Sequence, residues 1–540
     1  MKKVKKALSL FMILCLTVAA MSGCGKKEKG TNVDISGIES ITENTMPITT
    51  EDITLTVWIK NNSQGYAADY EEYEVVKEIE KRTGVKIDFI HPVGSAMEQL
   101  NIMLASGDMP DIVMYYFDDS ANIEYVEDGV YLDLTEYIEK FAPNFNKLVA
   151  ENESYQQQLA LMGDTRTYFP NLIDNEEYLG YNGYFIRQDW LDKVGMDIPT
   201  TIEEWEAVLK AFRDNKLGGK NTVPFATAAI GGMQNEIFAS GFGLPNVSST
   251  CLDPVTGKVT HPVLLPGYKD YLETINRWYE EGLIDPNFIA CTGQQLDSMV
   301  LNGEVGAFYY DNNNDMPKYM STNPELNLVA VPYPKDKNGV SYAPASSVTQ
   351  TVQKAGSVVS GDCKYPVEAV RLLDYFYSEE GSTLLQWGIK GETYDIDEDG
   401  NKYFTDYVLN NPDGKTPTEA FAGKYFARSG APGLTHYSAM RALEANFSDE
   451  IKTQREASIQ YSMENSRDVI LPPMAMTEKE LDSISTASIE TSTYLSEMHS
   501  KFLLGKEPLS NFDKFISNAK KIGLTKIIEV SQKVYDRHTK

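Results

Sequence analysis

The side chains best suited to chemistry in this 540-residue chain are aromatic rings set beside hydrogen-bonding groups. Tyr115-Tyr116-Phe117-Asp118 places rings next to an acceptor, and Tyr309-Tyr310-Asp311 repeats the arrangement. Such rings pack on the C–H faces of a sugar, while carboxylates and amides take its hydroxyls. Trp58 with Asn62, and Trp387 with Glu392, offer the same pairing. Each has a plainer reading, in which the ring fills a core and the polar neighbour is solvated. Arg187 suits an acidic sugar through a bidentate hydrogen bond, or a nearby carboxylate of its own chain. Neutral and acidic sugars both stay open.

Other chemistry is less well served. Asp395, Asp397 and Asp399, followed by Gly400, have the spacing of the first half of a calcium loop. Tyr394 and Tyr403-Phe404-Thr405 flank them as strands, however, and Glu398-Asp399-Gly400-Asn401 makes a hairpin turn. The turn is expected, with no resident metal or cofactor. The sequence contains no His-Glu-x-x-His, no Gly-x-Ser-x-Gly, no phosphate loop and no dinucleotide fingerprint. Its 78 Asp and Glu residues leave a glycosidase pair impossible to choose. A binding protein is expected, and a secreted glycoside-acting enzyme is the alternative class.

The elements that must position these residues begin with an address. Lys2, Lys3, Lys5 and Lys6 precede an apolar run from Ala7 to Ala20, suited to the core of an export signal. Met21-Ser22-Gly23-Cys24 resembles the lipobox of a bacterial lipoprotein, with Met21 where Leu is usual. That resemblance implies cleavage after residue 23, acylation of Cys24, and a place on the outer face of the cell membrane. Residues 24–51, rich in Thr, Ser, Asn and Gly, read as a flexible tether. Loss of the four head lysines takes the net charge from −29 to −33. Such a surface excludes nucleic acid and anionic membrane as partners. Cys251, Cys291 and Cys363 have no metal or redox spacing.

Ile53–Ile59 alternates as a strand, and Glu72–Arg82 carries Val75, Val76 and Ile79 at helical spacing before Gly84. Val85–Ile90, Ala96–Ala105 and Asp111–Tyr115 continue the strand–helix–strand order. A parallel sheet follows, with ligands expected beyond its carboxyl ends at Trp58–Asn62, His91–Gly94 and Tyr115–Asp119. Thr201 and Glu204 have capping-box spacing ahead of a helix whose apolar face is Ile202, Trp205, Leu209 and Phe212. Trp205, Trp278 and Trp190 read as structural.

In this order the segments resemble extracellular solute-binding protein family 1, closest to its long lipoprotein branch. The carriers are Leu104-Ala-Ser-Gly-Asp108-Met-Pro110-Asp111-Ile112, Tyr184-Phe-Ile-Arg187-Gln-Asp189-Trp190-Leu191, Gly195-Met-Asp-Ile-Pro199-Thr-Thr201, Tyr279-Glu-Glu-Gly282-Leu-Ile-Asp285-Pro286 and Phe502-Leu-Leu-Gly505-Lys-Glu-Pro508-Leu509. The resemblance implies an α/β, two-lobed periplasmic-binding-protein-like fold of type II, with a hinge and an interlobe ligand cleft. One lobe is expected over 52–165, receiving about 305–355. The other, more helical, is expected over 166–304 and 356–540. It further implies a monomeric soluble part, a carbohydrate ligand and the permease subunits of an ABC importer; a peptide ligand or a sensing role is the alternative. Some members carry a calcium loop after the helix ending here near Phe212. In this chain Asp214–Asn221 keeps few acidic oxygens.

Overall fold

A computed structural model describes residues 33–60, 70–116, 119–179, 182–229, 236–311, 315–342, 350–413, 415, 417–422, 433–472 and 474–539. Its first strands are β1 (Ile53–Ile59), β2 (Val85–Ile90) and β3 (Ile112–Tyr116), paired in parallel with β1 in the middle. Helix α1 (Glu74–Thr83) connects β1 to β2 and buries Val75, Val76 and Ile79, the predicted face. It stops at Gly84, whose φ of +74° suits only glycine, and where a Cβ would meet the Thr49 carbonyl oxygen. Asp111 fastens β3 to β1: its carboxylate accepts from the Thr56 backbone N–H at 2.8 Å and hydroxyl at 2.7 Å. That contact is the physical reason for the Asp in the Pro110-Asp111 motif.

The sheet is completed by β4 (Phe169–Ile173), β11 (Val352–Val359) and β14 (Gly433–Thr435), in the order β14-β4-β11-β3-β1-β2. A second sheet has the order β10-β5-β9-β6, formed by β5 (Asn182–Arg187), β6 (Val223–Thr227), β9 (Val305–Asp311) and β10 (Leu328–Val331). Two small hairpins, β7 (Cys251–Leu252) with β8 (Val259–Thr260), and β12 (Tyr394–Ile396) with β13 (Lys402–Phe404), lie apart from both.

Each sheet has its own core. Leu55, Val57, Ile112, Phe169, Leu373 and Trp387 belong to the first, and Phe185, Trp190, Trp205, Phe225, Trp278 and Phe308 to the second. The expected capping box forms at the start of α2 (Ile202–Asp214), which buries Ile202, Trp205, Leu209 and Phe212. The two-lobed α/β expectation is met.

The segment assignments need correcting. Strand β9 was expected in the first lobe, yet it lies between β5 and β6 in the second sheet. Strand β4 was expected in the second lobe and pairs in the first. Residues beyond 356 return to the first core through Leu372, Leu373, Leu384 and Phe404. Alternation in a strand sequence encodes which side chains are buried, not which neighbour completes the ladder.

The tether is also shorter than expected. Ile35 and Ile48 are buried in the first core, and Lys140 Nζ donates to the Ile35 carbonyl at 2.8 Å. Asn44 Nδ2 donates to the buried Asp374 carboxylate at 3.0 Å. Arg371 holds the Thr45 and Ile48 carbonyls and the Asn44 side chain. A Ser/Thr/Asn-rich composition resembles a linker, but here its few apolar residues find a core.

Candidate functional site

The chain passes between the sheets three times: from β4 to β5, from β10 to β11, and from β14 to helix α3 (Asp449–Met463), which packs on β5 and β10. All three crossings leave from one edge of each sheet. On the first sheet β1, β2, β3, β4 and β14 end at that edge with Ile59, Ile90, Tyr116, Ile173 and Thr435, and antiparallel β11 begins there at Val352. On the second, β5 begins at Asn182, opposite the ends of β6, β9 and β10. Two sheet edges rich in strand termini, joined by three connections, form the candidate site. Loops leaving strand ends can vary without breaking a ladder, so such edges accommodate ligands in open α/β sheets.

The sequence candidates divide between these edges and elsewhere. Tyr115 lies near the end of β3, half-buried, with its ring 5.8 Å from Trp58 in an edge contact. Trp58 itself is only 1% exposed beneath it, which corrects its reading as a stacking platform. Tyr116 ends the same strand, opposite Ala355. Asn62 and Asp118 lie outside the described residues, as does the Asp311 side chain, although the Asp311 backbone pairs with Asn182.

Tyr309 and Tyr310 close β9 at the second edge, but both are buried. The Tyr309 ring packs 4.6 Å from Tyr184 and 6.1 Å from Tyr333. Burial pushes its phenol well above the usual range, so it stays neutral. These two tyrosines therefore build the wall under the edge rather than an open platform.

Three candidates are placed elsewhere. Arg187 closes β5 at the end opposite Asn182, where its guanidinium binds Asp189 at 2.6 and 2.8 Å and lies 5.2 Å over the Trp190 ring. The Arg-Gln-Asp-Trp motif is thus a strand-to-helix lock. Trp387 is 2% exposed and stacks on Phe404 at 4.8 Å, inside the first core. Glu392 sits in the loop before β12, its carbonyl accepting from Thr405 Oγ1. These residues failed as site candidates because a Trp or Arg beside a polar residue has the same sequence signature in a core, a lock or a cleft.

Neither calcium reading finds support in the described residues. Asp395, Asp397 and Asp399 lie in the β12–β13 hairpin, where the Asp397 carboxylate is taken by the backbone N–H groups of Asp399 and Asn401 at 3.0 and 2.8 Å. In the stretch after α2, Arg213 holds Asp214 at 2.8 Å, Asn221 bonds Glu304, and Lys216 and Lys220 add positive charge. Such a set does not fit a hard divalent cation, which needs six or more oxygens. Among the described residues no group of three His, Cys, Asp or Glu could hold a metal.

The sequence reading missed a polar group at the crossings. The Tyr333 hydroxyl donates to the Asn182 carbonyl at 2.8 Å, and Tyr333 is influenced by charges on both Glu236 and Arg467. Arg467 and Asn465 follow α3, and the Ser466 N–H between them donates to the Ser341 carbonyl of the second crossing. Glu236 lines a narrow cavity with Tyr184, Tyr309, Tyr333 and Asn246. Single polar residues spread from 182 to 467 carry no shared spacing by which to find them.

Comparison with known proteins agrees with this architecture. The model of the bacterial extracellular solute-binding protein family matches residues 64–383. The fructooligosaccharide ABC transporter substrate-binding protein FusA of Streptococcus pneumoniae is 23% identical, over 98% of this chain and 97% of its own. The polygalacturonan/rhamnogalacturonan-binding protein YtcQ of Bacillus subtilis is 25% identical, over 85% of this chain and 87% of its own. The crystal structure of the alginate-binding protein AlgQ2 without calcium ion superposes with a TM-score of 0.76 at 22% identity, covering 91% of this chain and 99% of that one.

Proposed function

This chain belongs to the bacterial extracellular solute-binding protein family, and from that premise we propose that it captures an oligosaccharide between its two sheet edges and presents it to the permease of an ABC importer. The observation that carries this reading is the convergence of ten strand termini on two edges joined by three crossings. A hinge of three segments lets the edges close on a ligand, and the ligand drives closure only by binding the closed form better. Carbohydrate as cargo is supported by relatives that bind fructooligosaccharide and polygalacturonan. Tyr115, half-buried near the end of β3, is the ring proposed to stack on it, and Tyr116, Asn62, Asp118 and Asp311 are proposed from the sequence alone as further contacts.

Each lobe is the territory of one sheet: roughly 33–173 with 352–435 for the first, and 182–331 with 449–539 for the second. Cys24, after its lipobox-like Met21-Ser22-Gly23, is the lipid anchor that keeps the protein on the outer face of the membrane. No helix among the described residues is long and apolar enough to cross a membrane. The soluble part acts as a monomer, without catalysis of its own.

The test is a thermal-shift screen of the mature chain, with Cys24 replaced by alanine, against oligosaccharides and peptides. A saturable rise in melting temperature with one sugar series is expected, because a ligand that binds only the folded form stabilises it by mass action. A rise with peptides and none with any sugar overturns the cargo assignment.

A further inference from the structure

We infer that Asn182, Asn465 and Arg467 form a polar anchor at the base of the crossings that takes the hydroxyls of a neutral saccharide in preference to the carboxylate of a uronic acid. This rests on the reading that the chain captures a sugar between its sheet edges.

Five buried side-chain atoms of the anchor have no hydrogen-bonding partner. Asn182 is 2% exposed and Asn465 is 4% exposed, yet neither the amide oxygen nor the amide nitrogen of either side chain meets a hydrogen-bonding partner. The Arg467 Nε–H is buried and unpartnered too. The same guanidinium reaches only the Ser462 carbonyl at 3.3 Å and the Met463 sulfur at 3.5 Å through Nη2. Its basicity is lowered by burial. Folded proteins satisfy nine in ten or more of such buried groups, and each orphan costs about 1–3 kcal/mol. Tyr333 links two of them, bonding the Asn182 carbonyl and lying within the field of Arg467, and Asn465 stands two residues before Arg467 where the second and third crossings meet.

Their chemistry sets the ligand class. All three residues offer N–H donors, and the two amides also offer acceptor oxygens. A sugar hydroxyl both donates and accepts, so a neighbouring pair can satisfy amide oxygens and N–H groups at once. A carboxylate only accepts, and would leave both amide oxygens facing its negative charge. The surroundings point the same way. The Arg467 charge is already opposed by Glu176 on the first crossing, and Glu236 shares a cavity with Tyr333 and acts on it with the opposite sign. A uronate would add a further negative charge to these two. Arg187, the other arginine at an end of β5, is committed to Asp189.

The experiment measures binding of the mature chain to two probe sets by calorimetry: neutral fructo-, malto-, xylo- and arabino-oligosaccharides, and acidic oligogalacturonate and oligoalginate. It includes the Asn182→Leu, Asn465→Leu and Arg467→Met variants, with the melting temperature of each unliganded protein. Saturable binding of a neutral probe is expected, weakened at least tenfold in the variants. Their unliganded melting temperatures should be unchanged or higher, since removing an unsatisfied polar group relieves a penalty. Tighter binding of an acidic probe overturns the inference and leaves the capture reading standing. Unchanged neutral affinity in the variants overturns it as well. A lower unliganded melting temperature in every variant also overturns it, because the groups are then satisfied internally by structural water. Failure of both probe sets to bind overturns the capture reading itself.

Discussion

Replacing Glu444 with glutamine should destabilise the second lobe by about 3–5 kcal/mol, the range for removing one member of a buried ion pair. Glu444 lies on the third crossing, 6% exposed, with its Oε2 2.6 Å from Arg455 Nη1. Arg455 is fully buried on α3, so it has no route to solvent when its counter-charge is lost. Arg441, 3.0 Å from the same oxygen, is 28% exposed and contributes little. Glutamine keeps the shape, so the loss is electrostatic rather than a packing defect. With an unfolding entropy of about 2.1 cal/mol/K per residue, a cooperative unit of roughly 250 residues gains about 0.5 kcal/mol/K, and the melting temperature should fall by about 6–10 °C. Differential scanning calorimetry of the unliganded mature protein reads this directly. The double variant Glu444→Leu with Arg455→Met removes both charges and should recover most of the loss. An E444Q protein melting within about 2 °C of the parent, or a double variant no better than the single, refutes the reasoning.

Two further outcomes follow from groups outside the site. Arg371→Met removes the three hydrogen bonds that hold residues 44–48 on the first lobe, so a glutamate-specific protease should cut at Glu39 and Glu43 well before the parent is cut there. Equal cleavage rates by mass spectrometry would mean that Ile35 and Ile48 hold the segment unaided. His261 is 5% exposed, burial depresses its pKa to about 4, and its neutral Nδ1 accepts from the Val263 N–H at 3.4 Å. The unfolded chain protonates this group near 6.5 and the folded chain only near 4. Its stabilising effect is therefore complete above pH 6.5 and lost as the pH falls toward 4, by roughly 3 kcal/mol in all at 1.36 kcal/mol per pH unit. Urea titrations at pH 7 and pH 4.5 should show that loss in the parent and a shallower one in His261→Gln; equal slopes would place the sensitivity elsewhere.

Much of the fold was legible in the residues because it is local. The alternation of Ile53–Ile59, the i, i+1, i+4 face of Val75, Val76 and Ile79, the stop at Gly84 and the Thr201–Glu204 box each depend on neighbours within a few residues, and each forms where its spacing places it. The turn expected at Glu398-Asp399-Gly400-Asn401 is likewise local, and it forms within the β12–β13 hairpin. The strand–helix order also determined the architecture, because parallel strands with short helical crossovers can only build a covered sheet with its carboxyl ends together.

What only the tertiary structure decided is which elements share a sheet and which side chains share a space. Val305–Asp311 has the same alternation whichever ladder it joins, and long-range pairing sent it to the second sheet. Trp58, Tyr309 and Trp387 look like ligand platforms beside polar residues, until burial at 2% or less shows them to be core. Asn182 and Arg467 carry no motif, being separated by 285 positions, and are linked only through Tyr333, which bonds the one and feels the charge of the other. Local spacing determines an element through short-range sterics and hydrogen bonds; a site assembled from crossings depends on how closed loops bring distant residues together, and no spacing along the chain records that.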